Sequence, residues 1–269
     1  MPASDPSERT DDRARLAQAL RDGGAIALGF FRGQLRSWTK EHDSPVSEAD
    51  IAVDELIRQR LQAATPDYGW LSEESVDDRS RLRKQRVWIV DPIDGTRAYI
   101  AGREDWCISA ALVVAGRPVL SGLYAPVTDE LFLATAGVGA TRNGAAMAVS
   151  AGATLAGTRL AGPKRILDTM TAHDPTMVAV PRIHSLALRI ARVGTGEIDG
   201  AIAGGSSHDW DLAAADLLVH EAGGSMTALD GRPPIYNRHE LTHSVLVVSG
   251  RERHPALLAR MQEPFSGPS

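Results

Sequence analysis

Residues 87–90, Val-Trp-Ile-Val, form an apolar run that leads without a break into Asp91-Pro92-Ile93-Asp94-Gly95-Thr96. This junction constrains the fold more than any other stretch of the chain. The run reads as a short buried strand. Asp91 then stands at the rim of a core, where a carboxylate must be paired or must bind a cation. Asp94 follows three residues later, across what Pro and Gly predict to be a turn. Two carboxylates so close repel each other unless a cation lies between them. Hard divalent ions such as Mg²⁺ take oxygen ligands of this kind, including a backbone carbonyl such as that of Ile93. Gly95 and Thr96 can open a helix whose free N–H groups form an anion site. Metal on one side and N–H donors on the other suit a phosphate monoester. Taken singly, an Asp can be turn chemistry and Thr96 a helix cap. The whole string after a buried strand asks for more than that.

Two further acidic segments belong with it: Leu71-Ser72-Glu73-Glu74-Ser75 and Asp209-Trp210-Asp211-Leu212-Ala213-Ala214-Ala215-Asp216. Around them the chain reads as alternating helices and strands. Helical spacing of Leu16, Ala19, Leu20, Ala27, Phe30 and Phe31 predicts a helix from Asp11 to Phe31, weakened by Gly23-Gly24. Ser47-Glu48-Ala49-Asp50 reads as a capping box opening a second helix. Strands are expected at 108–114, 119–124, 130–135, 198–203 and 242–249, with a hairpin at Asn143-Gly144. Helices are expected at 183–193 and 210–222. Meandering strands with separated helices favour an α+β layered fold over a Rossmann domain. Residues 1–10 are polar and expected to be disordered. Residues 11–269 are expected to form one domain, with a metal-binding half (about 11–150) and a substrate-facing half (about 151–269).

Composition narrows the function classes. The net charge of −5 and the absence of a long basic run argue against a nucleic-acid polymer as partner. Cys107 is the only cysteine, which excludes an internal disulfide and any multi-cysteine metal site. No apolar run reaches the ~18 residues of a membrane span, and the N-terminus does not read as a signal peptide, so the expected compartment is the cytoplasm. His239-Glu240-Leu241-Thr242-His243 spells the H-E-x-x-H signature of zinc metalloproteases, which works only on a helix. Pro233-Pro234 before it and an apolar strand after it predict loop, then strand.

Together, Trp-Ile-Val-Asp-Pro-Ile-Asp-Gly-Thr, Trp-Asp-x-Ala-Ala and Glu-Glu-Ser resemble the inositol monophosphatase superfamily of Mg²⁺-dependent, lithium-sensitive phosphatases. The resemblance runs from about Lys40 to about Gly231. It implies an αβαβα layered sandwich, commonly a homodimer, that hydrolyses a small phosphate monoester with two or three Mg²⁺ ions. It implies that Glu73, Asp91 and the Ile93 carbonyl hold the first metal, and that Asp91, Asp94 and Asp211 hold the second. A third metal is implied near Glu73. Glu73 and Thr96 would position and deprotonate the attacking water, with Asp50 supporting Thr96, while the Gly95 and Thr96 amides hold phosphate. Asp50 equally fits the capping box. Lys40 is placed to face the site, or is simply solvated. A scaffold with a dead site would lack a ligand, and none of the four carboxylates is missing.

The leaving group is a separate question. Typical inositol monophosphatases carry a glutamate seven residues before the Trp-Asp aspartate, and here that position is Gly204. Lys40 ten residues before Asp50, Ser44-Pro45-Val46, Leu71-Ser72-Glu73-Glu74 and Tyr124-Ala125-Pro126-Val127 resemble 3′(2′),5′-bisphosphate nucleotidases. Arg182 either pairs with a second phosphate of the substrate or is a solvated arginine at a helix start. The expectation leans to a bisphosphate nucleotidase, with inositol 1-phosphate and histidinol phosphate as alternatives.

Overall fold

The computed structural model describes residues 6–33, 36–39 and 45–263, with backbone alone for 6–10, 39 and 45. Helix α1 (Pro6–Phe30) starts within the stretch expected to be disordered, five residues before Asp11. It buries Leu16, Ala19, Leu20 and Ala27. The Gly23-Gly24 pair that weakens this helix locally has a packing reason. A Cβ on Gly24 would lie 2.4 Å from the Tyr124 ring, so only glycine lets the helix approach the sheet there. A small antiparallel pair, β1 (Ser37–Thr39) and β2 (Pro45–Ser47), leads into α2 (Glu48–Ala64). The expected capping box is present: the Ser47 backbone N–H donates to Asp50 Oδ2 at 2.8 Å.

Seven strands follow: β3 (Gly69–Ser72), β4 (Arg86–Asp94), β5 (Cys107–Val114), β6 (Arg117–Ala125), β7 (Glu130–Thr135), β8 (Gly139–Arg142) and β9 (Ala145–Ala146). They form one sheet in chain order, with β3 parallel to β4 and the remaining pairs antiparallel. A short helix, α3 (Thr96–Ile100), separates β4 from β5. The second half contributes β10 (Arg159–Ala161), α4 (Lys164–His173), β11 (Val178–Ala179), α5 (Leu186–Gly194) and β12 (Gly200–Ala203). It continues through β13 (Ser207–His208), α6 (Asp209–Glu221), β14 (Gly224–Ala228), β15 (Thr242–His243), β16 (Leu246–Gly250) and α7 (His254–Gln262). Its sheet has the order β11-β10-β12-β16-β14.

Alternation along the strands builds the layers. On β4, Trp88 and Val90 join Val53, Ile57, Leu16 and Leu20 under α1 and α2. Val87 and Ile89 face the other way, into a core shared with α5, α6 and the second sheet. The far face of that second sheet buries Leu160, Ile202 and Val247 against Leu167 and Met170 of α4 and Leu257 and Met261 of α7. The sequence of layers is therefore helix, sheet, helix, sheet, helix, the αβαβα sandwich expected. None of the described helices is long and apolar enough to cross a membrane.

Two local expectations need correction. The strand expected over 242–249 is two: β15 leaves the main sheet to pair with β13, and only β16 lies in the second sheet. The turn expected after Asp91 is instead a continuation of β4. Asp91 pairs with Ser109 and Asp94 with Cys107, so three residue steps on β4 face two on β5. The extra residue is a bulge, a position that tolerates Pro92 and its missing N–H.

Candidate active site

The bulge re-aims two side chains that a regular strand would send elsewhere. Oxygens of Asp91 and Asp94 come within 4.8 Å of each other and of Asp211, which reaches in from the first turn of α6. Asp91 is 1% exposed and Asp94 6%. Burial first, and then Glu73, Asp94, Asp211 and Asp50 around it, push the Asp91 carboxyl well above the usual carboxylate range. Asp211 is raised well above its ordinary value by burial and by Asp94, against the pull of the His208 N–H, which donates to its Oδ2 at 2.7 Å. Two buried acids and a third, half-buried Asp211, that strain one another in this way form a site built for a cation. An all-oxygen donor set suits a hard ion such as Mg²⁺.

Asp94 is anchored from the second half of the chain. The Ser185 hydroxyl and the Ala187 backbone N–H (2.6 Å) both donate to its Oδ2. Ser185 is at the same time the N-cap of α5, its Oγ accepting from Leu188 N at 3.0 Å. Asp94 thus sits at the positive end of α5, which opposes the effect of burial on its pKa. Glu73 follows β3 and is held beside the trio by its N–H, which donates to the Val90 carbonyl at 3.3 Å. Asp54 of α2 fixes the same loop by accepting from the hydroxyls of Ser72 and Ser75. The charge of Glu73 is felt by both Asp91 and Asp211, although it is not one of the three closest carboxylates.

Gly95 has φ +95°, the left-handed conformation that favours glycine, and it is the N-cap of α3. Thr96 is therefore not the cap. Its Oγ1 lies 3.0 Å from the Ile93 carbonyl and 3.3 Å from Asp50 Oδ1. Asp50 performs both roles left open by the sequence: one oxygen closes the capping box and the other reaches Thr96.

The family model described as "Inositol monophosphatase family" matches residues 10–264. The chain belongs to the inositol monophosphatase family. It is similar to the inositol-1-monophosphatase of Mesorhizobium japonicum, at 32% identity over 92% of this chain and 94% of that one. It is as similar to the histidinol-phosphatase of Chlorobaculum parvum, at 33% identity over 84% and 89%. Among solved structures, an IMPase/NADP phosphatase complexed with Mg²⁺ and phosphate superposes with a TM-score of 0.80 and 25% identity, covering 92% of this chain and 93% of that one. Members of the inositol monophosphatase family are metal-dependent phosphatases, and this chain is accordingly a phosphoric monoester hydrolase.

The remaining expected residues divide. Arg182 is exposed, three residues before Ser185, and its charge is felt by the half-buried Arg189, whose guanidinium donates to the Ile183 carbonyl. Gly204 closes β12, and a Cβ there would meet only Pro163, at 3.6 Å. Its backbone does not demand glycine, so the missing carboxylate is a matter of chemistry and not of space. Lys40 lies outside the described residues. The H-E-x-x-H string is not helical: His239 and Glu240 are exposed loop, and His243 on β15 bonds the buried Asp209 at 2.7 Å. Sequence reasoning missed Ser185, Asp54 and the pair His184–Asp105. Ser185 and Asp54 carry a faint signal, as polar residues in otherwise buried stretches. Their partners are 91 and 18 residues away, and only the fold reveals them.

Proposed function

We propose that Asp91, Asp94 and Asp211, with Glu73 and the Ile93 carbonyl beside them, hold two or three Mg²⁺ ions. We further propose that the substrate is a small phosphate ester bearing a second anionic group, such as a 3′(2′),5′-bisphosphorylated nucleoside. The observation that carries the metal reading is the close carboxylate trio, two of whose members are buried. When bound, Mg²⁺ supplies positive charge for the transferring phosphoryl group and acidifies water. The chain's own residues do the rest. Thr96 Oγ1, tied to Asp50 and the Ile93 carbonyl, offers a lone pair that orients the attacking water. Glu73 accepts the water's proton. The Gly95 and Thr96 amides, at the start of α3, face the phosphate. Support for a second anionic group comes from Arg182 and Arg189 on the segment that carries Ser185, and from the absence of a carboxylate at Gly204. A guanidinium suits a phosphate. We extend the reading to a lithium-sensitive, cytoplasmic homodimer, on family resemblance and on a single buried cysteine.

Phosphate release from adenosine 3′,5′-bisphosphate, inositol 1-phosphate, histidinol phosphate and fructose 1,6-bisphosphate tests both parts. Activity should need Mg²⁺, vanish with EDTA, and be lost in Asp91→Asn, which removes one negative oxygen from the trio. Wild-type turnover by that variant would refute the cage. The bisphosphate should give the highest kcat/KM, and Arg182→Ala should raise its KM while sparing a monophosphate. Preference for inositol 1-phosphate or histidinol phosphate, indifferent to Arg182→Ala, would return the chain to one of those branches.

A further inference from the structure

His184 stands between Arg182 and Ser185, outside the carboxylate trio. Its backbone N–H donates to Asp105 Oδ2 at 2.7 Å, and its ring Nδ1 meets the same oxygen at 2.6 Å. Ser185 N donates to the Asp105 carbonyl at 3.1 Å. This Asp105–Ser185 patch is the wall against which Gly95 is packed: a Cβ on Gly95 would lie 3.3 Å from the Asp105 carbonyl oxygen and from the Ser185 backbone. His184 is thus built into the wall of the phosphate-facing turn, and its side chain is 24% exposed. Burial works to raise the Asp105 carboxyl, and the bonds from His184 outweigh it and hold it ionised.

An ionised carboxylate can only accept, so the Nδ1–H of His184 donates to Asp105, which fixes the orientation of the ring. Nε2 is then the ring nitrogen left to meet a ligand, beside the turn that faces phosphate. We propose that His184, oriented by Asp105, is a specificity-determining residue whose Nε2 hydrogen-bonds a hydroxyl of the leaving group, next to the ester carbon. It provides the polar partner that Gly204 does not, from the same segment that carries Arg182 and Arg189. The ligand class is a phosphate ester of a vicinal hydroxy alcohol, which includes a ribose 3′-phosphate with its free 2′-hydroxyl. The inference rests on the phosphatase reading of the site, and not on the second anionic group.

Matched substrate pairs test it: adenosine 3′,5′-bisphosphate against its 2′-deoxy analogue, and glycerol 2-phosphate against isopropyl phosphate. The second pair keeps the test valid whether or not nucleotides are preferred. Wild type should favour the hydroxylated partner roughly tenfold in kcat/KM, the worth of one such bond. His184→Phe, which fills the space without a hydrogen-bonding atom, should bring the ratio near one by lowering kcat/KM for the hydroxylated partner alone. His184→Gln, which offers an amide oxygen, should restore part of the ratio. A ratio of one in the wild type, or the same ratio in wild type and His184→Phe with melting temperatures matched, would overturn the proposal. Loss of turnover on every substrate in the wild type would instead strike the phosphatase reading itself.

Discussion

One hydroxyl joins two distant parts of the active site. Ser185 Oγ donates to Asp94 and accepts from Leu188 N, so it caps α5 and steadies a carboxylate of the trio at once. Ser185→Ala should cost about 1 kcal/mol of stability through the lost cap. It should also weaken Mg²⁺ binding by about ten- to a hundredfold, the usual effect of losing a partner that orients a metal ligand. Thermal melts with and without Mg²⁺ read the first effect, and the Mg²⁺ dependence of activity reads the second. An unchanged Mg²⁺ dependence would show that the Ala187 N–H alone holds Asp94. The sequence places Asp94 beside Asp91 by adjacency. That its second oxygen belongs to α5 depends on a contact spanning 91 residues.

At the scale of the element, the bulge in β4 and the left-handed Gly95 form one device. The bulge turns Asp91 and Asp94 toward the same side, and Gly95 ends the strand where α3 begins. Gly95→Ala would meet two obstacles. The left-handed conformation costs about 1–2 kcal/mol for a residue with a Cβ, and the new methyl would press on backbone atoms of Asp105 and Ser185 at 3.3 Å. Gly137, with φ +76° and nothing within 4 Å of its Cβ position, isolates the first cost. Gly95→Ala should therefore destabilise more than Gly137→Ala in urea titrations, and only Gly95→Ala should lose activity. Equal losses of stability would mean that the wall yields. The Asp-Pro-Ile-Asp-Gly-Thr string announced a sharp change of direction. Pro removes a ladder hydrogen bond and so predicts a turn, and only pairing with β5 shows that the strand resumes at Asp94.

At the scale of the molecule, α6 is the hinge of the design, lying in the middle layer between two sheets. Its N-terminal turn delivers Asp211 to the trio, and a turn and a half later Asp216 is buried beside Tyr236 and Arg117. Burial pushes the Asp216 carboxyl up to about 6, against the pull of Arg117 and Tyr236. In the unfolded chain a carboxyl of this type titrates near ~3.9. Between those values the folded protein keeps a proton that the unfolded chain has released, so this group's contribution to stability falls as pH rises from about 4 to about 6. Asp216→Asn should remove that slope, leaving stability nearly unchanged near pH 4 and raising it by roughly 3 kcal/mol at pH 7.5. Urea titrations at both pH values check it. Parallel pH profiles for the two proteins would show that Arg117 compensates the buried charge fully.

The chain's own order determined what local chemistry can determine: most strands and helices, the capping box at Ser47–Asp50, the hairpin at Asn143-Gly144, and acids at 73, 91, 94 and 211 too poorly explained by turns or solvent. These are legible because hydrophobic periodicity and carboxylate repulsion act over a few residues. Tertiary structure decided the rest. The bulge exists because β5 offers its pairing groups two residues apart where β4 needs three. Asp50 serves both the cap and Thr96 because α2 packs against the end of β4. The H-E-x-x-H string is inert because His243 is claimed by Asp209 on a strand that leaves the sheet. His184 acquires a fixed ring orientation only where the fold sets Asp105 beside it. Each of these needs two segments remote in sequence to meet, and their meeting is settled by the packing of five layers on shared cores, which no short window of sequence contains.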